Sequence, residues 1–254
     1  PDYIPYFYNL AKFPREQRKK ILQSWVVEEP LVCAPGEKSI YSDLGFMVLG
    51  WIVEKKSGMT LEQFVSEKIL NPLGLQEKVF FQPLHRKKKE RHFAATEKCA
   101  WRNRVVIGEV HDYNTHAVGG VSGQAGLFGD IRGVLELTTA LLDQWQGRSS
   151  HPNYRTDDLK TFLERPNRAY KSTWALGFDT PSEKGSSSGR YFSKRSVGHL
   201  GFTGTSFWID PEKDLVVVLL TNRVHPDKEN NRIKEFRPLF HDTVVELLQM
   251  TGVQ

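Results

Sequence analysis

Several absences bound what this chain of 254 residues can be. Its longest apolar run, Leu215–Leu220, is far shorter than the roughly 20 residues a membrane-spanning helix needs, so no transmembrane segment is expected. There are only two cysteines, Cys33 and Cys99, with no C-x-x-C and no metal spacing; they read as free thiols. The eight histidines form no His-x-x-x-His pair and no HExxH, so no metal and no cofactor is implied. The opening, Pro1-Asp2-Tyr3-Ile4, has no initiator Met, no basic region and no apolar core. We therefore expect the sequence to begin inside a longer reading frame, and its localisation, whether bacterial periplasmic, secreted or cytoplasmic, stays unassigned.

What is present is ordinary globular material, 39% hydrophobic and 26% charged, long enough for one large domain or two small ones. Much of the net charge of +5 lies in one run, His85-Arg86-Lys87-Lys88-Lys89-Glu90-Arg91-His92. Such a run suits nucleic acid or an anionic membrane. No nucleic-acid-binding module pattern accompanies it, so a solvated loop is expected and no nucleic-acid partner.

Hydrophobic spacing predicts helices at Glu16–Glu28 and Ser42–Lys56, the second with Leu44, Met47, Val48, Trp51 and Ile52 on one face. Gly58 closes that helix, and Thr60-Leu61-Glu62-Gln63 fits a capping box opening the next, Leu61–Leu70, which stops at Asn71-Pro72-Leu73-Gly74. Residues 75–129 read as mostly irregular, with some alternation over Trp101–Val110 and a glycine-rich stretch at Gly119–Gly129. Two helices follow, from Asp130 through Trp145 and from Thr156 through Leu163. Strands are expected at Arg190–His199, Thr205–Asp210 and Asp214–Thr221, the last two a hairpin across Pro211-Glu212-Lys213. The final helix is expected to start near Pro238.

Two short motifs carry chemistry. Tyr41-Ser42-Asp43 opens a helix, where side chains in the first turn project into a cleft while the rest packs. A phenol there can serve as a general base once neighbouring cations lower its pKa. Taken alone, the tripeptide also fits an ordinary N-cap. His199-Leu200-Gly201 lies on a strand and leads into Phe202-Thr203-Gly204-Thr205. A glycine there admits close backbone approach of a ligand to an edge strand. Alone, His199 reads as a satisfied strand histidine.

In this order and with these flanks, the two motifs resemble the second and third active-site boxes of the penicillin-recognising serine hydrolases: class C β-lactamases, D-Ala-D-Ala peptidases and related esterases. Pro30–Gly74 resembles the family around its second box, and Glu109–Phe128 the glycine-rich segment of the esterase-like branch. The first box, Ser-x-x-Lys, bears the nucleophile. No serine in this chain has a lysine three residues on. Pro1–Tyr6 resembles a segment well after that box, so the nucleophile helix and the first strands are expected to lie outside this chain.

The resemblance implies a β-lactamase/transpeptidase-like α/β architecture of the α+β type, an antiparallel sheet flanked by helices plus a helical lobe. One such domain over 1–254 is expected, its helical part over 1–165 and its C-terminal strands and last helix over 166–254. The helical lobe is expected from residues 16–74 and 130–164, the sheet from Arg190–Thr221. It further implies an acyl-enzyme hydrolase acting on a small-molecule or peptide substrate, a β-lactam, D-amino-acid peptide or carboxylic ester. Tyr41 would be the general base, His199 the third-box residue, and Asp43, Gly201 and Phe202 substrate-binding, the Phe202 N–H forming half of an oxyanion hole. Asp43 replaces the usual Asn; an ionised carboxylate only accepts hydrogen bonds. Tyr41 and His199 would serve one acyl carbonyl. The sheet would associate with its N-terminal segment or with a second copy. Two other readings compete. Gly120-Val121-Ser122-Gly123-Gln124 partly fits a nucleophile elbow, and His111-Asp112 half of a triad. Without a nucleophile, the fold can also be a catalytically inactive binding or regulatory module.

Overall fold

The computed structural model describes residues 3–87, 90–164 and 172–250. Pro1 and Asp2 of the opening, Lys88 and Lys89 of the basic run, and the domain boundary expected at 165/166 lie outside the described residues. The chain divides into two compact units, Pro1–Asp130 and Ile131–Gln254.

The first unit is mainly helical. Helices α1 (Phe7–Leu10), α2 (Arg15–Glu28) and α3 (Asp43–Ser57) share a core of Phe7, Leu10, Leu22, Val26 and Met47. Helix α3 is bounded as its sequence requires. The Ser42 hydroxyl accepts from the Leu44 N–H at 3.2 Å, and Gly58 ends the helix at φ 69°. The capping box at Thr60 is formed, but α4 spans only Leu61–Phe64 before the chain continues as a π-helix, Val65–Leu70, and a 3-10 turn, Asn71–Leu73.

Residues 75–129 are more regular than the sequence predicts. Strand β1 (Val79–Phe81) pairs with β4 (Leu127–Gly129), and β2 (Ala95–Cys99) with β3 (Arg104–Ile107), all antiparallel. Strands of three to five residues are too short to show a period of two. The described residues of the basic run are exposed.

The short helix α5 (Tyr113–Ala117) is a tie point. The Asp112 carboxylate caps it, accepting from the Thr115 N–H at 2.7 Å. Asn114 accepts from the Phe7 N–H at 2.9 Å and donates to the Ile4 carbonyl at 2.8 Å, holding the first residues in place. Gln124 donates to the Thr115 hydroxyl at 2.9 Å, drawing in the glycine-rich loop. That loop lies against α3 backbone to backbone: a Cβ on Gly123 would sit 1.9 Å from the Phe46 carbonyl oxygen, and one on Gly50 3.2 Å from the Gly123 nitrogen.

In the second unit an antiparallel sheet runs β5 (Val197–Leu200), β6 (Ser206–Asp210), β7 (Leu215–Leu219), in that spatial order. Helices α6 (Ile131–Trp145) and α7 (Thr156–Leu163) pack against it through Leu142, Trp145, Leu159, Leu163, Val197 and Ile209. Helical periodicity alone groups residues 130–164 with the helical lobe. Their apolar faces instead complete the core of the sheet. Trp208, Val217 and Val245 form another cluster with Phe192, joining the sheet to α8 (Ile233–Met250).

Two expected boundaries move. The strand predicted over Arg190–His199 is reduced to β5, because carboxylates take the earlier backbone donors: Arg190 N–H donates to Asp242 at 2.6 Å and Ser193 N–H to Asp210 at 2.7 Å. Helix α8 starts five residues before Pro238, not at it. The buried Ile233 and Arg237 anchor those first turns, so tertiary contacts outweigh the helix hydrogen bond that proline forgoes.

Strand β5 is partly covered on its outer side. Asp179 exchanges both backbone hydrogen bonds with Gly198, at 2.8 and 2.9 Å, and Asp179 bridges in turn to Trp174. Gly198 admits no side chain: a Cβ there would lie 2.3 Å from the Phe207 carbonyl and 2.6 Å from the Trp208 ring.

Candidate active site

The two motifs lie in different units, and each has its own geometry. In the first, Tyr41 lies two residues before α3 and is 45% exposed. Asp43 is the first residue of the helix, where a carboxylate is favoured by the N–H groups and dipole of that end. The Ser42 hydroxyl is committed to the cap.

The electrostatics run opposite to what a tyrosine base requires. Burial, and then the Asp43 carboxylate, push the Tyr41 phenol above the ordinary tyrosine value. Tyr3, which sequence reasoning did not single out, is raised by burial and by both Asp112 and Asp43. Asp43 therefore acts on two phenols at once. Replacing Asp43 by Asn, as in the usual box, should lower the Tyr41 pKa while leaving it above that of free tyrosine, since burial is the larger cause. A pH titration of the Tyr41 ζ-carbon by NMR, assigned with Tyr41→Phe, checks this. An unchanged or raised value in Asp43→Asn would remove Asp43 as a cause.

In the second unit the structure brings His199, Gly201 and Phe202 together around one hairpin turn. The Gly201 N–H donates to the Thr205 carbonyl at 2.8 Å, and the Gly204 N–H to the Gly201 carbonyl at 3.0 Å. This leaves Phe202-Thr203-Gly204 as a three-residue loop, with Gly204 at φ 113° as such loops require. Gly201 is held tightly: a Cβ there would meet the Thr205 hydroxyl at 2.1 Å. Phe202 occupies the first corner of the turn, and its N–H enters neither of these bonds.

His199 Nδ1 lies 2.9 Å from the Leu200 carbonyl oxygen. A carbonyl only accepts, so Nδ1 carries the proton and Nε2 is the acceptor nitrogen of the neutral ring. Burial lowers the His199 pKa below the ordinary histidine value; the Leu200 bond and Asp179 oppose this. The ring packs edge-on against Trp174, centroids 5.5 Å apart. At neutral pH His199 therefore offers hydrogen bonding rather than charge.

Sequence reasoning also missed two arginines at this turn. Arg223 Nε donates to the Phe202 carbonyl at 2.7 Å, and its guanidinium lies 4.2 Å from the centre of the Phe202 ring. Arg237 reaches the turn from α8, 36 residues along the chain from Gly201. A contact that distant leaves no mark in local spacing.

The competing motifs do not hold. Ser122 is buried, the strand β4 follows it, and no helix succeeds it directly, so it does not stand on a strand–elbow–helix. His111 and Asp112 serve different partners: His111 Nε2 pairs with Glu97 at 3.0 Å, while Asp112 caps α5.

Residues 3–240 match the family model described as Beta-lactamase. The N-acetylmuramyl-L-alanine amidase of Bacillus subtilis (strain 168) is 33% identical over 247 residues, covering 89% of this chain and 55% of that protein. A putative D-alanyl-D-alanine carboxypeptidase of Salmonella typhi is 32% identical over 240 residues, covering 89% and 54%. The chain thus spans about half the length of these curated relatives. Among solved structures, simvastatin synthase from Aspergillus terreus superposes with a TM-score of 0.63 at 16% identity, covering 96% of this chain and 63% of that one. A β-lactamase from Mycobacterium bovis gives 0.59 at 19% identity, covering 85% and 67%. Helices with antiparallel sheets, this likeness in fold and the match over residues 3–240 lead to one assignment: the chain belongs to the β-lactamase family of penicillin-recognising serine hydrolases and has the β-lactamase/transpeptidase-like fold.

Proposed function

We propose that this chain carries the second and third boxes of a serine hydrolase that works through an acyl-enzyme on an amide or ester. Tyr41 is the general base, His199 the hydrogen-bonding residue of the third box, and the Phe202 N–H one donor of the oxyanion hole. Asp43, Gly201 and Phe202 contact substrate. The nucleophile comes from a Ser-x-x-Lys segment outside this chain. The observation that supports this most directly is the tight hairpin turn after His199, which pins Gly201 to Thr205 and sets Phe202 at its corner. Amidase and carboxypeptidase relatives favour an amide over an ester.

The raised Tyr41 phenol fits this reading only with a cation beside it. His199 is neutral, so that cation is the lysine of the first box. In the intact enzyme the lysine lowers the phenol and makes Tyr41 competent to take the serine proton and return it to the leaving group.

Acylation tests the proposal. Incubated with a fluorophosphonate or a labelled penicillin, this chain alone should show no stable adduct by mass spectrometry. With its Ser-x-x-Lys segment supplied, the protein should gain one adduct, on that serine. Tyr41→Phe should then slow acylation by about 10²- to 10⁴-fold. An adduct on Ser122 in the chain alone would restore the nucleophile elbow.

A second reading, a catalytically inactive binding or regulatory module, is favoured by one observation. Burial and the Asp43 carboxylate raise the Tyr41 phenol and so favour its protonated form. Under that reading the complete protein binds the penicillin reversibly and is never acylated.

A further inference from the structure

Arg237 is 7% exposed and lies in the first turns of α8. Its Nη2 donates to two backbone carbonyls, Gly201 at 2.7 Å and Thr205 at 2.8 Å. These residues face each other across the hairpin turn, where the Gly201 N–H already donates to the Thr205 oxygen. One nitrogen therefore fastens both ends of the loop that begins at Phe202. Four residues on along the same helix face, His241 is fully buried with Nε2 3.2 Å from the Ser206 hydroxyl, the residue directly after Thr205. From the loop side, Arg223 holds the Phe202 carbonyl, and its own N–H donates to the Thr203 carbonyl at 2.9 Å.

A buried guanidinium normally comes with a carboxylate, because an unpaired charge is expensive to desolvate. Among the described residues no carboxylate pairs with Arg237, and its Nε has no hydrogen-bond partner. Burial and the like charge of Arg223 lower its pKa. Stability is thus a poor reason for an arginine here; an apolar side chain would fill the place at lower cost. What an apolar residue cannot do is hold two carbonyls at one point; that takes a nitrogen with two N–H groups, and here it is Nη2.

We infer that Arg237 is the positioning residue of the oxyanion donor: by clamping the Gly201 and Thr205 carbonyls it fixes the plane of the turn and with it the direction of the Phe202 N–H. The role rests on the serine-hydrolase reading above. Arg237 itself touches backbone, not substrate. An oxyanion donor is effective only when aimed beforehand at the position where charge develops. A loop free to rock about Gly201 and Gly204, two glycines, would not keep that aim.

The test compares Arg237→Lys and Arg237→Gln in the hydrolase complete with its nucleophile segment, on an ester and on its thionoester, where sulfur replaces the scissile carbonyl oxygen. Sulfur accepts hydrogen bonds poorly, so an aligned donor shows as a high oxo-to-thiono ratio in kcat. Arg237→Gln should lower kcat on the ester by about 10²-fold and collapse the ratio about tenfold, with KM nearly unchanged. Arg237→Lys, whose ammonium keeps the charge and several N–H donors but not the planar geometry, should recover part of both. An unchanged kcat, or a loss equal on both substrates, overturns the inference. If Arg237→Gln does not fold, the Lys variant and a second measurement decide: the Phe202 amide resonance of this chain, assigned by ¹⁵N NMR. It should shift and broaden in Arg237→Lys, and an unmoved resonance overturns the inference. That readout needs no turnover, so a wild-type protein that never acylates sinks the hydrolase reading while the clamp is still judged on its own.

Discussion

Alanine at Gly123 is expected to destabilise the chain by about 3 kcal/mol or more, at the upper end of what overpacking costs. The new methyl would sit 1.9 Å from the carbonyl oxygen of Phe46. That atom belongs to the backbone of α3 and cannot swing aside as a side chain does. Either the glycine-rich loop lifts from the helix or the helix shifts, and α3 begins at Asp43, two residues after Tyr41. Alanine at Gly45 in the same helix supplies the contrast. A Cβ there meets nothing within 4 Å, and its φ is unstrained. It should raise stability by about 0.5–1 kcal/mol through helix propensity alone. Thermal unfolding separates them: for a chain of this size 1 kcal/mol moves Tm by about 2–4 °C. A Gly123→Ala protein melting within 2 °C of wild type would show that loop and helix are not held as described.

The second large effect concerns β7. Among the described residues this strand pairs only with β6, so one edge of Leu215–Leu219 lacks a strand neighbour. We expect the chain to associate through that edge, with its own N-terminal segment or with a second copy. The register tells which groups are involved. Gly198 faces outward to Asp179, so His199 pairs inward with Phe207, and alternation then directs Trp208 and Val217 at each other and Val218 outward. Proline at Val218 should therefore leave the β6–β7 ladder intact yet remove an outward N–H. Light scattering should show wild-type chain larger than a monomer and Val218→Pro shifted toward monomer at the same concentration. A wild-type chain that is a clean monomer with one cooperative melt would mean the sheet needs no further strand.

The legible parts of this protein are those whose chemistry is local. Ser42, Gly58 and the Thr60–Gln63 pair each satisfy backbone groups within four residues, so the ends of α3 and the start of α4 could be read directly. The β6–β7 hairpin was legible because a turn joins two apolar runs. The small sheets of residues 75–129 were not, since β1 finds its partner 50 residues on, Val79 opposite Gly129. The false strand over Arg190–Ser196 has the right composition, but Asp242 and Asp210 capture its donors. Within the candidate site, order and flanks are what suggest the two boxes. The field of Asp43 on Tyr3 and the reach of Arg237 arise only when distant segments meet.

The cover on β5 sets a direction for anything that lies along this strand. Gly198 has both its outward hydrogen bonds occupied by Asp179, and Trp174 stands beside His199. An extended chain pairing with the strand can use Leu200 and continue past the turn, but meets the 174–179 segment on the other side after a single residue. We expect such an edge to favour chain ends over chain middles, a peptide whose reacting bond lies one residue from its terminus over one extended by several residues. Competition between peptides that differ only in that extension, measured as displacement of a common ligand, should show affinity falling sharply beyond one residue, and equal affinities would mean that the segment at 174–179 moves aside.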